Sequence, residues 1–343
     1  MAVVRRDILL DDDARKAYIR GIKLLKHEPT TLRTNQFGIP GPSRPVRTYD
    51  LFVIWHVIAM NTPVPPGGSP SNRNAAHAGP VFLPWHRVML GWLEVHLQRV
   101  LGDPNFGLPY WDWARDGTPS APATAPNPAA SALWRNTPDG FGGQGTPIPG
   151  GAFFFDPADP TSFRVRISTS SSGALQQVAE RGVRRRFGSA TFGSSILPSN
   201  ADITAAFDTV ADPTLASYDE APFNVSSRGF RNRLEGFIGT GLHNQVHRWV
   251  GGGRDMSLAS SPNDPVFFVH HCNVDRVWEG WMRRHGRVYQ PDMTAPASLL
   301  GHRIDDPLVS PFAPSSTSST PSTPATPRSV LDMTDTYTYD VLP

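Results

Sequence analysis

Apolar residues recur at helical spacing in five stretches of the chain, most of them bounded by end signals of their own. Val3 to Ile8 has strand character, after which Asp11-Asp12-Asp13 sets carboxylates where the positive end of a helix dipole favours them. That predicts a helix from near Ala14 to about Lys26. A second is predicted from Tyr49 to Met60, where Leu51, Trp55, Ile58 and Ala59 fall near one helical face, and the run Asn61-Thr-Pro-Val-Pro-Pro-Gly-Gly ends it. A third opens at Pro84 and carries Val88, Leu90, Leu93, Leu97 and Val100 to Gly102. The fourth helical region spans Gly229 to Val250, broken near Gly236, Gly239 and Gly241. The fifth runs from Asp264-Pro265 to near Gly286, with Asp264 as N-cap and Pro265 at the first helical position.

Between these stretches the periodicity fails. Gly117 to Gly151 is rich in Pro, Ala and Gly, and Gly188 to Ser227 is punctuated by prolines, so both read as surface connections. Ala313 to Pro327 is almost wholly Ser, Thr and Pro, too polar to pack a core, and reads as a flexible loop. Beyond it, Ser329 to Val341 recovers Leu and Met and sets Tyr337 and Tyr339 at strand alternation. The expected organisation is a single domain over 1–343, with a core to about 312, a loop over 313–328 and a strand within 329–343 returning to the core. The fold class is mainly α, with long irregular loops and a few short strands.

Composition narrows the chemistry. The 343 residues hold 32 basic and 30 acidic side chains spread along the chain, for a formal charge of +2. No basic arm recommends a nucleic acid, and the expected substrate is small and neutral or weakly charged. One cysteine, Cys272, excludes an intramolecular disulfide. Met1 to Lys26 contains no seven-residue apolar run, so it reads as neither signal peptide nor membrane span, and a cytoplasmic location is expected. The 35 prolines, roughly twice the usual ~5% share, predict that loops shape the functional site.

The histidines are the informative residues. Of eleven, seven fall in two groups on or beside the best helices. His243 and His247 are four apart, on one helix face, and the adjacent pair His270 and His271 follows on the next helix. His56 sits on the second helix, His77 in the loop after it, and His86 at the start of the third. A lone buried histidine is usually a satisfied core residue, and a His-x-x-x-His pair also arises by chance; the joint pattern is what points to metal. Imidazole suits copper, zinc, nickel or iron and does not separate copper from zinc. Dizinc and dimanganese hydrolases commonly bridge their ions with carboxylates, and neither group contains one, which favours redox chemistry with O2.

The segment Asn74-Ala-Ala-His77-Ala-Gly-Pro-Val-Phe-Leu-Pro-Trp-His86-Arg87 resembles the first copper motif of tyrosinases, catechol oxidases and molluscan haemocyanin units. Asn263-Asp264-Pro265-Val-Phe267-Phe-Val-His270-His271-Cys-Asn273-Val-Asp275-Arg276 is similar to the second. Pro109-Tyr-Trp-Asp112-Trp, Leu242-His243-Asn244-Gln-Val-His247-Arg248-Trp and the closing Tyr337-Thr-Tyr339 extend the likeness along most of the chain.

The resemblance implies a bundle of four helices around two copper ions, with O2 as co-substrate. It makes His56, His77 and His86 the ligands of one ion and His243, His247 and His271 those of the other. The family pattern His-x-x-x-Asp selects His271 over His270, which the spacing alone leaves open. Asp275 then either orients a ligand or binds Arg276, and Phe267 packs against the imidazoles. Glu235 and Asn244 match the pair thought to hold the water that accepts a phenol's proton. Arg248 is placed to clasp a substrate carboxylate or line the entrance, and Leu258 to narrow the mouth. Ala75 stands where some relatives carry a cysteine, so no thioether to His77 can form. The expected activity is ortho-hydroxylation of monophenols and oxidation of o-diphenols to o-quinones. The alternatives are a catechol or o-aminophenol oxidase and, less favoured, an O2 carrier resembling haemocyanin. The chain stops where a core without a C-terminal covering domain would stop, so activity without proteolysis is expected. Some bacterial relatives use a small helper protein for copper loading and export, which makes such a protein a candidate partner.

Overall fold

In a computed structural model, which describes residues 2–239, 241–309 and 324–343, the predicted helices form within a few residues of their expected ends. Helix α1 (Asp12–His27) is capped by Asp11, whose carboxylate accepts the Ala14 N–H, and turns Tyr18, Ile19, Ile22 and Leu25 inward. Helix α2 (Thr48–Asn61) buries more than the expected face: Phe52, Val53, Ile54 and Val57 are enclosed as well as Leu51 and Trp55. A helix apolar all round runs through the core instead of lying on it. Helix α3 (Phe82–Leu101) starts one half-turn before Pro84 and ends on Gly102, which takes the left-handed backbone of a C-cap at φ 65°. It packs along α1.

The fourth region divides at the expected glycines. Helix α6 (Phe230–Glu235) stops at Gly236 with φ 108°, and α7 (Leu242–Gly251) starts after Gly241 with φ 56°. Helix α8 (Val266–His285) packs against both α3 and α7. It opens one residue later than predicted, with Pro265 as the cap residue. Asp264 still serves the first turn, its carboxylate accepting Val266 N–H at 3.1 Å and its carbonyl Phe267 N–H at 2.9 Å. The same carboxylate is gripped by the buried Arg185 at 2.6 and 2.7 Å.

The two stretches read as surface connections need correction. Leu133, Trp134, Phe141 and Ile148 in the first are buried, as are Leu197, Ile203, Leu215 and Tyr218 in the second. The first follows a short helix, α4 (Trp113–Gly117), and the second contains another, α5 (Asn200–Ala206). Single apolar residues set between prolines show no period along the sequence, yet these bury their side chains. Among the described residues the strands form three two-stranded sheets: β1 (Val3–Arg5) with β6 (Tyr337–Tyr339), β2 (Pro29–Arg33) with β3 (Pro45–Arg47), and β4 (Val165–Thr169) with β5 (Leu175–Arg181). The predicted C-terminal strand thus returns to the core, pairing parallel with β1 in the register Val3 to Tyr337 and Arg5 to Tyr339. Most of the Ser/Thr/Pro-rich loop, over 313–323, lies outside the described residues. Among the described residues no helix is long and apolar enough to cross a membrane.

Asp275 sits at the seam of α3, α8 and β6. Among the described residues neither Arg276 nor a histidine hydrogen-bonds to it. Its carboxylate accepts hydrogen bonds from Arg87 Nε at 2.6 Å, Arg5 at 3.3 Å and the hydroxyls of Tyr337 and Tyr339 at 2.6 Å each. Arg276 turns to Asn273 at 3.0 Å and Asp112 at 3.5 Å.

Candidate metal centre

Four helices and one loop deliver the histidines to a common centre. His56 comes from the middle of α2, His86 from the first turns of α3, and His77 from the loop between them. Their ligand-capable nitrogens lie within 4.8 Å of one another, as do those of His243, His247, His270 and His271 from α7 and α8. The two groups abut. His86 and His271 stack at 4.2 Å between ring centroids, 9° from parallel, and His77 stands 6.0 Å from His243. The other four histidines, His27, His96, His285 and His302, belong to neither group.

Hydrogen bonds fix the protonation pattern. A carbonyl oxygen only accepts, so a ring nitrogen facing one carries the proton. His56 Nδ1–H donates to Ala259 O at 2.6 Å, His86 Nδ1–H to Phe82 O at 2.8 Å, His243 Nδ1–H to Glu235 O at 3.1 Å and His247 Nδ1–H to Met256 O at 2.7 Å. Burial, more than any neighbour, drives all of these rings neutral: His56 is pushed down to about 3 and His247 to about 4, with His77, His86, His243, His270 and His271 held well below the usual histidine value. The Nε2 atoms are therefore bare lone pairs. Those of His56 and His86 are buried without any partner. His271 Nε2 lies 3.3 Å from the Nε2 atoms of both His243 and His247, and its ring carries one proton, which satisfies one of them at most. Converging neutral imidazoles with unmet lone pairs are the donor set of a transition-metal ion, and the backbone carbonyls behind them orient it. The residues present fit two such ions.

The supporting residues differ in role. Phe267 packs on His271 at 4.2 Å and on His56 at 5.0 Å, touching both groups. His270 is completely buried, stacked on His243 at 5.2 Å, with neither ring nitrogen partnered. A cavity of about 280 Å³ opens onto His56, His77, His243 and His247. Asn244, Arg248 and Leu258 line it, with Met60, Met256 and Ser257. Arg248 is its one charged residue. The exposed guanidinium donates from Nε to the Asn244 carbonyl at 3.2 Å, and the cavity lining holds no carboxylate.

Glu235 does not line the cavity. It is fully buried, with Oε1 accepting the Ala78 N–H at 2.6 Å and Oε2 a hydrogen bond from Arg231 at 2.8 Å. Burial raises its carboxyl to about 7 against the opposing pull of Arg231. Of the two residues paired from the sequence, Asn244 lines the cavity, while the Glu235 carboxylate is held by Ala78 and Arg231. Sequence reasoning also missed Met256 and Ala259, which act through main-chain carbonyls and so leave no side-chain signature. Arg231 was legible in principle, four residues before Glu235 on one helix.

Comparison with known proteins agrees with this geometry. The model of the common central domain of tyrosinase matches residues 46–284. The chain is 32% identical over 324 residues to a tyrosinase of Streptomyces glaucescens, covering 88% of this chain and 97% of that one. It is 37% identical over 240 residues to a tyrosinase of Streptomyces antibioticus, covering 69% and 73%. Grixazone synthase of Streptomyces griseus is 33% identical over 319 residues, covering 85% and 90%. Among solved structures, a polyphenol oxidase variant of Thermothelomyces thermophila superposes with a TM-score of 0.54 at 22% identity, covering 82% of this chain and 70% of that one. At that identity the likeness speaks for the fold alone.

Proposed function

The chain belongs to the tyrosinase family of copper oxidoreductases, and from that premise we propose that it uses O2 to hydroxylate monophenols at the ortho position and to oxidise o-diphenols to o-quinones. The observation that carries this reading is the meeting of two neutral histidine groups at the floor of one open cavity. His56, His77 and His86 would hold one copper ion and His243, His247 and His271 the other. When bound, the copper pair supplies the capacity to take up O2 and exchange two electrons with a phenol.

The remaining residues bind and orient. Phe267 seals the floor between the two groups, and His270 backs His243 without serving as a ligand. Asn244 offers an amide on the cavity wall beside His243, suited to hydrogen-bond a phenolic oxygen or a water next to it. A free phenol titrates near 10, so the site must favour loss of that proton near neutral pH. Leu258 limits the width of the mouth. Arg248 gives the cavity a cation in a lining that holds no carboxylate, suited to a substrate carboxylate. The cavity opens to solvent, which supports turnover over the reversible O2 storage of a covered site.

Similarity to grixazone synthase, an enzyme named for the making of a product, supports a second reading: a catechol or o-aminophenol oxidase in a biosynthetic route. Copper-loaded protein assayed with a monophenol, and with the matching catechol, separates the two. Quinone from both establishes the first reading. Oxidation of the catechol alone, even after priming with a trace of catechol, establishes the second.

A further inference from the structure

Glu235, the last residue of α6, touches both histidine groups at once. Its side chain accepts the Ala78 N–H at 2.6 Å, one residue beyond His77, and its main-chain carbonyl accepts His243 Nδ1–H at 3.1 Å. The carboxylate is not free to swing. Its other oxygen is held at 2.8 Å by Arg231, whose remaining donors are fixed by Asp219 at 2.9 Å, Asn232 at 2.9 Å, Ser227 at 2.7 Å and the Asn224 carbonyl at 3.0 Å. Arg231 and Glu235 are both wholly excluded from solvent.

His77 depends on such an external hold. It alone of the six comes from a loop, and its Nδ1 has no partner, so no carbonyl orients its ring as in His56, His86, His243 and His247. On one side its main chain is tied to Asn74, whose side chain accepts the His77 N–H at 2.7 Å. On the other side Ala78 adopts φ +63°, a left-handed backbone that a residue with a Cβ keeps only when its surroundings impose it. The Glu235 carboxylate accepts the N–H of that residue.

We infer that Glu235 is a positioning residue, anchored by Arg231, that fixes His77 against His243 and so sets the relation between the two histidine trios. This rests on the reading of the trios as copper ligands. A glutamine cannot replace it. Both partners of the carboxylate are donors, and an amide turns its own N–H2 toward one of them.

The test is copper binding at chelator-buffered free copper, compared between the unaltered protein and Glu235→Gln, with electron paramagnetic resonance of the half-loaded form. Groups that orient ligands typically change metal affinity by about 10- to 100-fold. The expected result is a loss of that size confined to the His56, His77 and His86 trio. Copper then falls toward one per chain, and the resonance matches that of His86→Ala loaded at its remaining site. Should the glutamine variant fail to fold, Glu235→Asp carries the comparison, since it keeps the charge beside Arg231 but is one methylene too short to span both partners. Wild-type affinity at both trios, with a loss only in monophenol hydroxylation, would overturn the inference and return the carboxylate to the phenol's proton. Equal loss from both trios would overturn it too, as general loosening. If the unaltered protein takes up no copper, the reading of the trios themselves fails, a result distinguishable from either.

Discussion

His86 lies flat against His271, their rings 4.2 Å apart and 9° from parallel, so each histidine group forms part of the other's wall. Replacing either residue by alanine removes one donor from its own trio and a packing surface from the neighbouring one. Both variants are expected to drop to background activity, with copper falling from about two toward one per chain as measured by elemental analysis. Full copper with normal turnover in either would contradict the ligand assignment.

Arg248 stands in a cavity whose lining holds no carboxylate. Phenols bearing a carboxylate should therefore be preferred over those bearing an amine on a chain of the same length. Exchanging Arg248 for Gln removes a charge-assisted contact at a solvated site, and the ratio of kcat/KM values, acid over amine, is expected to fall about tenfold. Steady-state kinetics at two salt concentrations check it, because screening should shrink the preference in the unaltered enzyme.

Acid should unfold the copper-free protein early. The rings of both groups are neutral when folded, with His56 held near about 3 and His247 near about 4 chiefly by burial, whereas each recovers the ordinary value of about 6.5 on unfolding. The unfolded chain then binds more protons below that value. Stability is complete above about pH 6.5 and lost as the pH falls, by up to ~1.4 kcal/mol per pH unit for each such ring. Urea titrations from pH 7.5 to 5 measure the slope. A flat profile would mean that these rings are not neutral and enclosed.

Asp275 is the structural counterpart of the site. Burial alone would raise its carboxyl, but Arg87 and Arg5, with the Tyr337 and Tyr339 hydroxyls, hold it below the usual carboxylate range. Replacing it with Ala leaves two buried arginines short of a partner, a change expected to cost about 3 to 5 kcal/mol. Chemical denaturation of the copper-free variant tests this. A loss of activity without that loss of stability would show that Asp275 acts on the metal centre directly.

Helices α1, α2, α3, α7 and α8 were readable because each pairs an apolar repeat with an end signal, such as Asp11, Gly102 or Asp264. The β4–β5 hairpin and α5 were not. Val165, Ile167 and Leu175 are too few to establish an alternation, and α5 is seven residues long, with Ile203 its one large buried side chain. The histidines were legible by type and spacing, and the choice of His271 over His270 only through the motif around them. What the sequence concealed is the work done by main-chain atoms. Nothing in the identity of Phe82, Met256 or Ala259 announces a carbonyl behind an imidazole. Glu235 and Asp275 show the same limit: residue type gave no sign of the Ala78 N–H on the one, or of Arg5, Arg87, Tyr337 and Tyr339 around the other.

The carbonyls of Met256 and Ala259, three residues apart, grip His247 and His56, one member of each trio, while Ser257 and Leu258 between them line the cavity. A guest molecule pressing on this short span leans on both histidine trios together. Redesign of the enzyme's selectivity is thus open to exchange of those two side chains and closed to any lengthening of the segment, because an added residue would be felt as a dislodged imidazole on either side.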